Sequence, residues 1–471
     1  MPDRSARLPR RQGRARSRRQ REAPLHDSRR CPVSAVRLGV TRNQRDLWAA
    51  EWRATDRRMH TVAQHVEIRG PLELTAFEDA MRQVLAETEA VRARFRDDGG
   101  EVIQEILPSV RWRLAVIDLS GHSDPAAAFD EWAEADQRAP ILASDFPLFS
   151  TALLRLGSDH HRWSLRFHHM AMDAFSAALL LRRVADVYAA RSTGGDAGPS
   201  PFRPIAALHE EQREYEESDR FAADRAFWRE RLTGLPGPVR ITPSDVADSR
   251  VLAGVGLAPP PAGQICRTAD AAGTAWPDVV LAVVAAHAAA ESGASDVVMT
   301  VPVSNRTTAV SRSVPTNTAN RIMLAVPVRP EASFHELLTA VTADNREAVR
   351  HQIFPHSVVM ADLGERAAPH RSSGPWVNIM PFGADLALPG CTTSVHRVQT
   401  GPVGDLEVAV YGDPDAARMR VNVLMGLRPE HHALLLAAER RLMDRFAAVT
   451  ADPHRPLAEL PEFAAAWAPA R

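Results

Sequence analysis

Apolar positions recur at three- and four-residue spacing through Leu74, Phe77, Met81, Val84, Leu85 and Val91, which predicts a helix over 74–95. Residues 61–68 alternate weakly, as a strand does, and Gln44, Leu47 and Trp48 suit a first helix. Trp112, Leu114 and Val116 read as a strand before a turn-rich segment, and a helix is expected over 126–139. The stretch 148–188 is the most informative. Residues 153–156 fit a strand and Gly157-Ser158-Asp159 a turn. Trp163, Leu165 and Phe167 then alternate with Ser164, Arg166 and His168, and after Asp173 the period becomes helical as far as Tyr188. A hairpin strand thus runs into a loop bearing histidines and then into a helix.

A Gly- and Pro-containing linker at 194–204 separates this half from a second one. There a long charged helix is predicted over 210–231, strands at 297–303, 324–328, 376–380, 406–411 and 421–426, and helices at 334–350 and 429–449. No repeat of 20–50 residues is visible. Two α/β lobes joined near residue 200 account for the pattern.

Composition narrows the function. Of 471 residues 45% are hydrophobic and 24% charged, and the formal charge is -1, so no bulk attraction to nucleic acid or membranes is expected. Residues 1–30 carry eleven Arg against three acidic side chains and read as a disordered basic leader. No apolar segment of signal-peptide type follows them. The densest apolar run, 279–290, is short and broken by His287, so it reads as a buried helix. Cys31, Cys266 and Cys391 lie far apart and form no metal or disulfide pattern. A cytoplasmic protein without metal or bound cofactor is expected, acting as a monomer.

Candidate chemistry centres on His168-His169-Met170-Ala171-Met172-Asp173. Strand alternation puts the two histidines on opposite faces. His169 shares the parity of Trp163, Leu165 and Phe167, whereas His168 has the polar parity. A neutral imidazole can take a proton from an amine or hydroxyl. A satisfied core histidine or a metal ligand remains open from the local pattern, although no HExxH completes a zinc site. GxSxG, a Walker A loop and GxGxxG after a strand are all missing from the sequence.

The stretch extended by one residue, His168 to Ala174, resembles the HHxxxDG motif of nonribosomal peptide synthetase condensation domains. Other segments follow that family's order. Thr41 to Trp48 resembles the opening SxAQxRLW-like helix at Gln44 and Trp48, and Glu89 to Phe95 keeps Glu89, Arg92 and Phe95 of RHExLRTxF. Val303-Ser304-Asn305-Arg306 resembles the segment whose arginine pairs with the motif aspartate. Asn320 resembles the asparagine of FVNT, and His351 to Pro355 the segment HQDYPFE. The resemblance covers about residues 36–460.

It implies an α/β fold of two chloramphenicol-acetyltransferase-like lobes, 31–200 and 201–471, forming a V around a central tunnel. It implies a stand-alone condensation enzyme of natural-product biosynthesis, an acyltransferase joining an acyl or aminoacyl group to an amine or alcohol acceptor. The donor would be tethered to the phosphopantetheine arm of a partner carrier protein. By the same resemblance His169 is catalytic, as base or positioning group, with His168, Asp173 and Arg306 in support; Asp173 pairs with Arg306. The rival expectations are an acyl-CoA-dependent acyltransferase and a catalytically silent recruitment domain. Ala174 departs from the family glycine, and would strain the loop if that position required a positive φ.

Overall fold

A computed structural model describes residues 35–464 apart from 54–59, 234–238, 243–246, 253–261, 365–373, 382–385, 399–404, 413–418 and 428. The predicted basic leader and Cys31 lie outside the described residues. Strands β1 (Val36–Gly39), β2 (Thr61–Arg69), β3 (Ala93–Asp98), β4 (Glu101–Ile106), β5 (Ala115–Asp118), β6 (Phe149–Gly157) and β7 (His160–His168) come from the first half. Strands β8 (Ala247–Leu252), β9 (Asp296–Val303), β10 (Asn320–Pro327), β11 (Trp376–Met380), β12 (Thr392–Val398), β13 (Leu406–Tyr411) and β14 (Arg420–Leu427) follow.

They form three sheets, in the orders β1-β4-β3, β12-β2-β7-β6-β5 and β10-β9-β11-β13-β14-β8. Helices α1 (Arg42–Arg53), α2 (Leu74–Glu87), α3 (Pro125–Gln137), α4 (Ala174–Ser192) and α5 (Ile205–Glu216) accompany the first half. The second half adds α6 (Asp219–Leu232), α7 (Ala262–Ala272), α8 (Trp276–Ser292), α9 (Ala309–Ser313), α10 (Phe334–Arg350), α11 (His356–Leu363) and α12 (His432–Ala451).

Two large hydrophobic cores result. One gathers Trp48, Phe77, Trp163 and Tyr188 and takes in Ile205 and Leu208 of α5; the other begins at Trp228 of α6 and runs to Phe463. The cores therefore divide between α5 and α6. The division is not clean along the chain: β12, from the second half, pairs with β2, and Val314, Leu386 and Leu388 join the first core. Helix α8 is buried along nearly its whole length, so an apolar run without amphipathic period is a core helix. Among the described residues no single helix is long and apolar enough to cross a membrane.

Several local expectations change. The helix over 74–95 stops at Glu87, because Thr88 turns extended and gives its Oγ1 hydrogen to the Val84 carbonyl at 2.8 Å. Val91 then sits in a single turn, and Ala93 and Phe95 point inward from β3; a helix stripe and a strand stripe had merged. The charged helix at 210–231 is two helices, with Ser218 capping α6. The strand expected at Trp112 begins only at Ala115 and pairs in parallel with β6. Residues 36–39 form a strand ahead of α1.

Candidate active site

The site begins where β7 ends. Its ladder with β2 closes on Thr61 opposite His168, and the His169 N–H extends it by donating to the His60 carbonyl at 2.7 Å. Ala171 and Met172 then turn back onto the His168 carbonyl, and Asp173 caps α4 by accepting the Ser176 N–H at 2.7 Å. Strand, turn and capped helix thus hold the histidine loop at both ends.

His168 does not reach open space. It is fully buried; its Nδ1 accepts the Met170 N–H at 3.0 Å, so Nε2 carries the hydrogen and donates to Glu51 Oε2 at 2.7 Å. Glu51 in turn accepts the Ala143 N–H. The polar parity read from the strand does not mean an exposed face here, since Arg166 on the same side is also buried, against Asp136 at 2.6 Å and the Ala139 carbonyl.

His169 is partly exposed and lines a cavity of about 470 Å³. Its Nδ1–H donates to the Met172 carbonyl at 3.2 Å. Nε2 therefore holds a lone pair, makes no hydrogen bond among the described residues and keeps accessible surface. Burial pushes the ring down to about 4, and the adjacent His168 adds to this, while Asp173 and the Met172 carbonyl pull the other way. The imidazole is neutral at neutral pH.

Side chains from distant segments clamp this loop. Asn317 donates to the His169 carbonyl at 2.6 Å and Gln44 to the Met170 carbonyl at 2.7 Å. Asn43 of α1 bonds Asn317 at 3.1 Å, closing the clamp across the two halves. His60 also lines the cavity, its ring 6.0 Å from that of His168, and burial pushes it down to about 4, with His169 and His168 adding.

Asp173 and Arg306 meet behind the cavity. One guanidinium nitrogen lies 3.1 and 3.0 Å from the two carboxylate oxygens, and the same nitrogen reaches Ser176 Oγ and the Thr316 carbonyl. The other terminal nitrogen donates to the Ser311 and Val314 carbonyls. Asp173 further accepts the Thr318 N–H at 3.0 Å. Burial alone would raise the Asp173 carboxyl; Arg306 and these donors outweigh it and hold it below the usual carboxylate range. Asn305, at φ 56°, is the only described non-glycine residue in the left-handed region, and it turns the chain so that Arg306 points back at the α4 cap.

Ala174 is the first residue of α4 and does not have a positive φ. The strain anticipated for this departure from the motif does not arise, because the position is helical and alanine suits a helix.

The structure also joins the two later motifs. The Asn320 amide donates to the Gln352 and Phe354 carbonyls, both at 2.7 Å, and its oxygen accepts the His356 N–H at 3.3 Å. Sequence reasoning missed Glu51, His60, Asn317 and Thr318. Glu51 had a signal: with Gln44 and Trp48 it falls on one face of α1, a charged residue at core spacing, and all three are buried. Among the described residues no group of three or more His, Cys, Asp or Glu side chains is arranged to hold a metal.

The α/β scaffold presents a neutral histidine to a cavity lined by both halves of the chain, and comparison with known proteins identifies the family. The condensation domain family model matches residues 37–380. The chain belongs to the condensation domain family. It superposes on the first condensation domain of the calcium-dependent antibiotic synthetase, bound to a substrate analogue, with a TM-score of 0.82 and 30% identity, covering 91% of this chain and 99% of that one. The starter condensation domain of rhizomide synthetase, a mutant bound to C8-CoA and Leu-SNAC, also gives 0.82, at 28% identity, covering 90% and 97%. The isonitrile lipopeptide synthase of Streptomyces coeruleorubidus is 34% identical over 424 residues, and the dimodular nonribosomal peptide synthase of Bacillus subtilis 31% over 390. These matches cover 88% and 82% of this chain but only 29% and 16% of those proteins.

Proposed function

We propose that the protein transfers a carrier-tethered acyl or aminoacyl group to an amine or alcohol, forming an amide or ester in nonribosomal peptide biosynthesis. The observation that carries this reading is the accessible, unprotonated Nε2 of His169 on the wall of a cavity that both halves line. The acceptor N–H or O–H donates to Nε2 and attacks the thioester carbonyl. As the C–N or C–O bond forms, the proton passes to the imidazole; the C–S bond then breaks, and the departing thiolate takes that proton. An α-ammonium group near pKa 8 loses a proton readily, so for amines orientation by His169 suffices; an alcohol requires the base.

Asp173 and Arg306 hold the loop rather than touch the substrates, and His168 on Glu51 fixes the strand end. The lobe drawn at 31–200 from the sequence carries the histidine and takes in α5 through Ile205 and Leu208, and the lobe after α5 supplies Arg306 and the far wall. The phosphopantetheine arm arrives on the partner carrier protein as part of the substrate. The test is reconstitution of the full chain with acyl-loaded carrier protein and amine or alcohol acceptors, read by mass spectrometry. Appearance of the amide or ester only with the loaded carrier is expected. Efficient turnover of free acyl-CoA in its place would favour the acyl-CoA-dependent reading, which the C8-CoA complex of the rhizomide synthetase domain keeps in view.

A further inference from the structure

The ionised side chains on the cavity wall fall into two groups. Arg42 is committed to Glu216 at 2.8 Å, Glu211 accepts from Thr308 Oγ1 at 2.7 Å, and Arg220 donates to the Arg350 carbonyl at 3.0 Å. Arg321 is different. It lines the same cavity and is exposed, yet among the described residues no carboxylate lies within ion-pair distance of it. Among the described residues its aromatic contact is Trp376, 5.7 Å from the guanidinium and also on the cavity wall. Asp46 is the charge among the described residues that acts on it, from beyond contact distance, and burial raises the Asp46 carboxyl.

The position is rigid. Arg321 is the second residue of β10, opposite Pro302 of β9, and its neighbour Asn320 is tied to the Gln352 and Phe354 carbonyls. Asn317, which holds the His169 carbonyl, is four residues away; at about 3.3 Å per residue the Arg321 Cα lies within about 13 Å of it. A guanidinium stays charged at any working pH, and Arg321 presents that charge to the cavity without a fixed counter-ion among the described residues. Its planar fork matches a carboxylate, and an aromatic face beneath it fixes its plane.

We propose that Arg321 is the docking point for a carboxylate carried by one of the two substrates, so that the preferred donor or acceptor is an acid rather than a neutral acyl group or amine. This rests on the condensation reading above for its catalytic arm, but its binding arm does not. The carboxylate could sit on the donor acyl chain or on the acceptor, and paired substrates separate these sources.

Two measurements test it, with the full chain and its Arg321→Met variant, which keeps an apolar stem over Trp376. In the first, kcat/KM is compared for carboxylate and carboxamide versions of the donor, then of the acceptor. Wild type should prefer the acid on one side by about 10-fold or more, consistent with a hydrogen bond to a charged group. Arg321→Met should level that preference to about twofold while still using the carboxamide. In the second, glutarate and its uncharged diamide are titrated by calorimetry without any turnover. Glutarate binding should weaken about tenfold or more in Arg321→Met, with diamide binding unmoved. An Arg321-dependent glutarate signal alongside failed condensation would sink the condensation reading and leave the subsite standing. Equal treatment of acid and amide by wild type, or glutarate binding unchanged by Arg321→Met, overturns the proposal.

Discussion

One guanidinium nitrogen of Arg306 contacts both carboxylate oxygens of Asp173, at 3.1 and 3.0 Å, across 133 residues of chain. The pair ties the loop after β9 to the first turn of α4, and so fixes the far end of the turn that begins with His169. Both side chains are buried, so neither charge has water to fall back on.

Removing one partner strands the other. Asp173→Asn should lower unfolding stability by about 3–5 kcal/mol, because Arg306 then sits buried without its counter-ion. Urea denaturation of the variant against wild type checks this. A shift below about 1 kcal/mol would mean that the Ser311, Val314 and Thr316 carbonyls satisfy Arg306 unaided.

Glu51 should behave as part of the same scaffold. Glu51→Ala leaves the His168 Nε2–H and the Ala143 N–H without this acceptor in a buried site, at about 1–3 kcal/mol each. Glu51→Gln, which can still accept through its amide oxygen, should lose less. Thermal melts of the two variants give the order, and equal losses would contradict the tautomer assigned to His168.

Ala174→Gly restores the family residue, yet little should follow. The position is the first helical residue and has no positive φ to relieve. Condensation rate should change less than about twofold and stability should fall by no more than about 1 kcal/mol. A large gain in rate would show that the methyl group obstructs the site.

The state of His169 is open to NMR. Its folded value near 4 lies below the unfolded value near 6.5, so the folded protein resists protonation there. Between about pH 6.5 and 4 the unfolded chain gains a proton that the folded one does not, and stability contributed by this group falls as pH falls. His60 acts in the same direction over the same window. The His169 ring resonances should stay in their neutral position from pH 8 to below 5.5, and a midpoint near 6.5 would refute the burial assigned to it.

Much of the architecture was legible because each half-buried element carries its period in the chain. The strand over 376–380 and the helix over 334–350 match the observed bounds. Elements failed where two periods met without a break, as at Thr88, or where a short polar cap interrupted a charged run, as at Ser218. The pairing of β12 with β2 was not legible, since register between segments more than 300 residues apart leaves no local signature. At the site, the histidine loop showed itself through its motif. Glu51 showed only as a charge at core spacing on α1, and Asn317 not at all, because the partners of both are set by tertiary contact.

The most direct test of the central claim is the single-turnover rate of product formation from loaded carrier protein by His169→Ala. General acid–base and positional contributions of this kind are worth about 100-fold or more. The account predicts a loss of at least that size, with circular dichroism and melting behaviour close to wild type, since the His169 ring makes a single hydrogen bond among the described residues. Product formation at the wild-type rate would contradict it, and would leave the cavity as a binding surface without His169 chemistry.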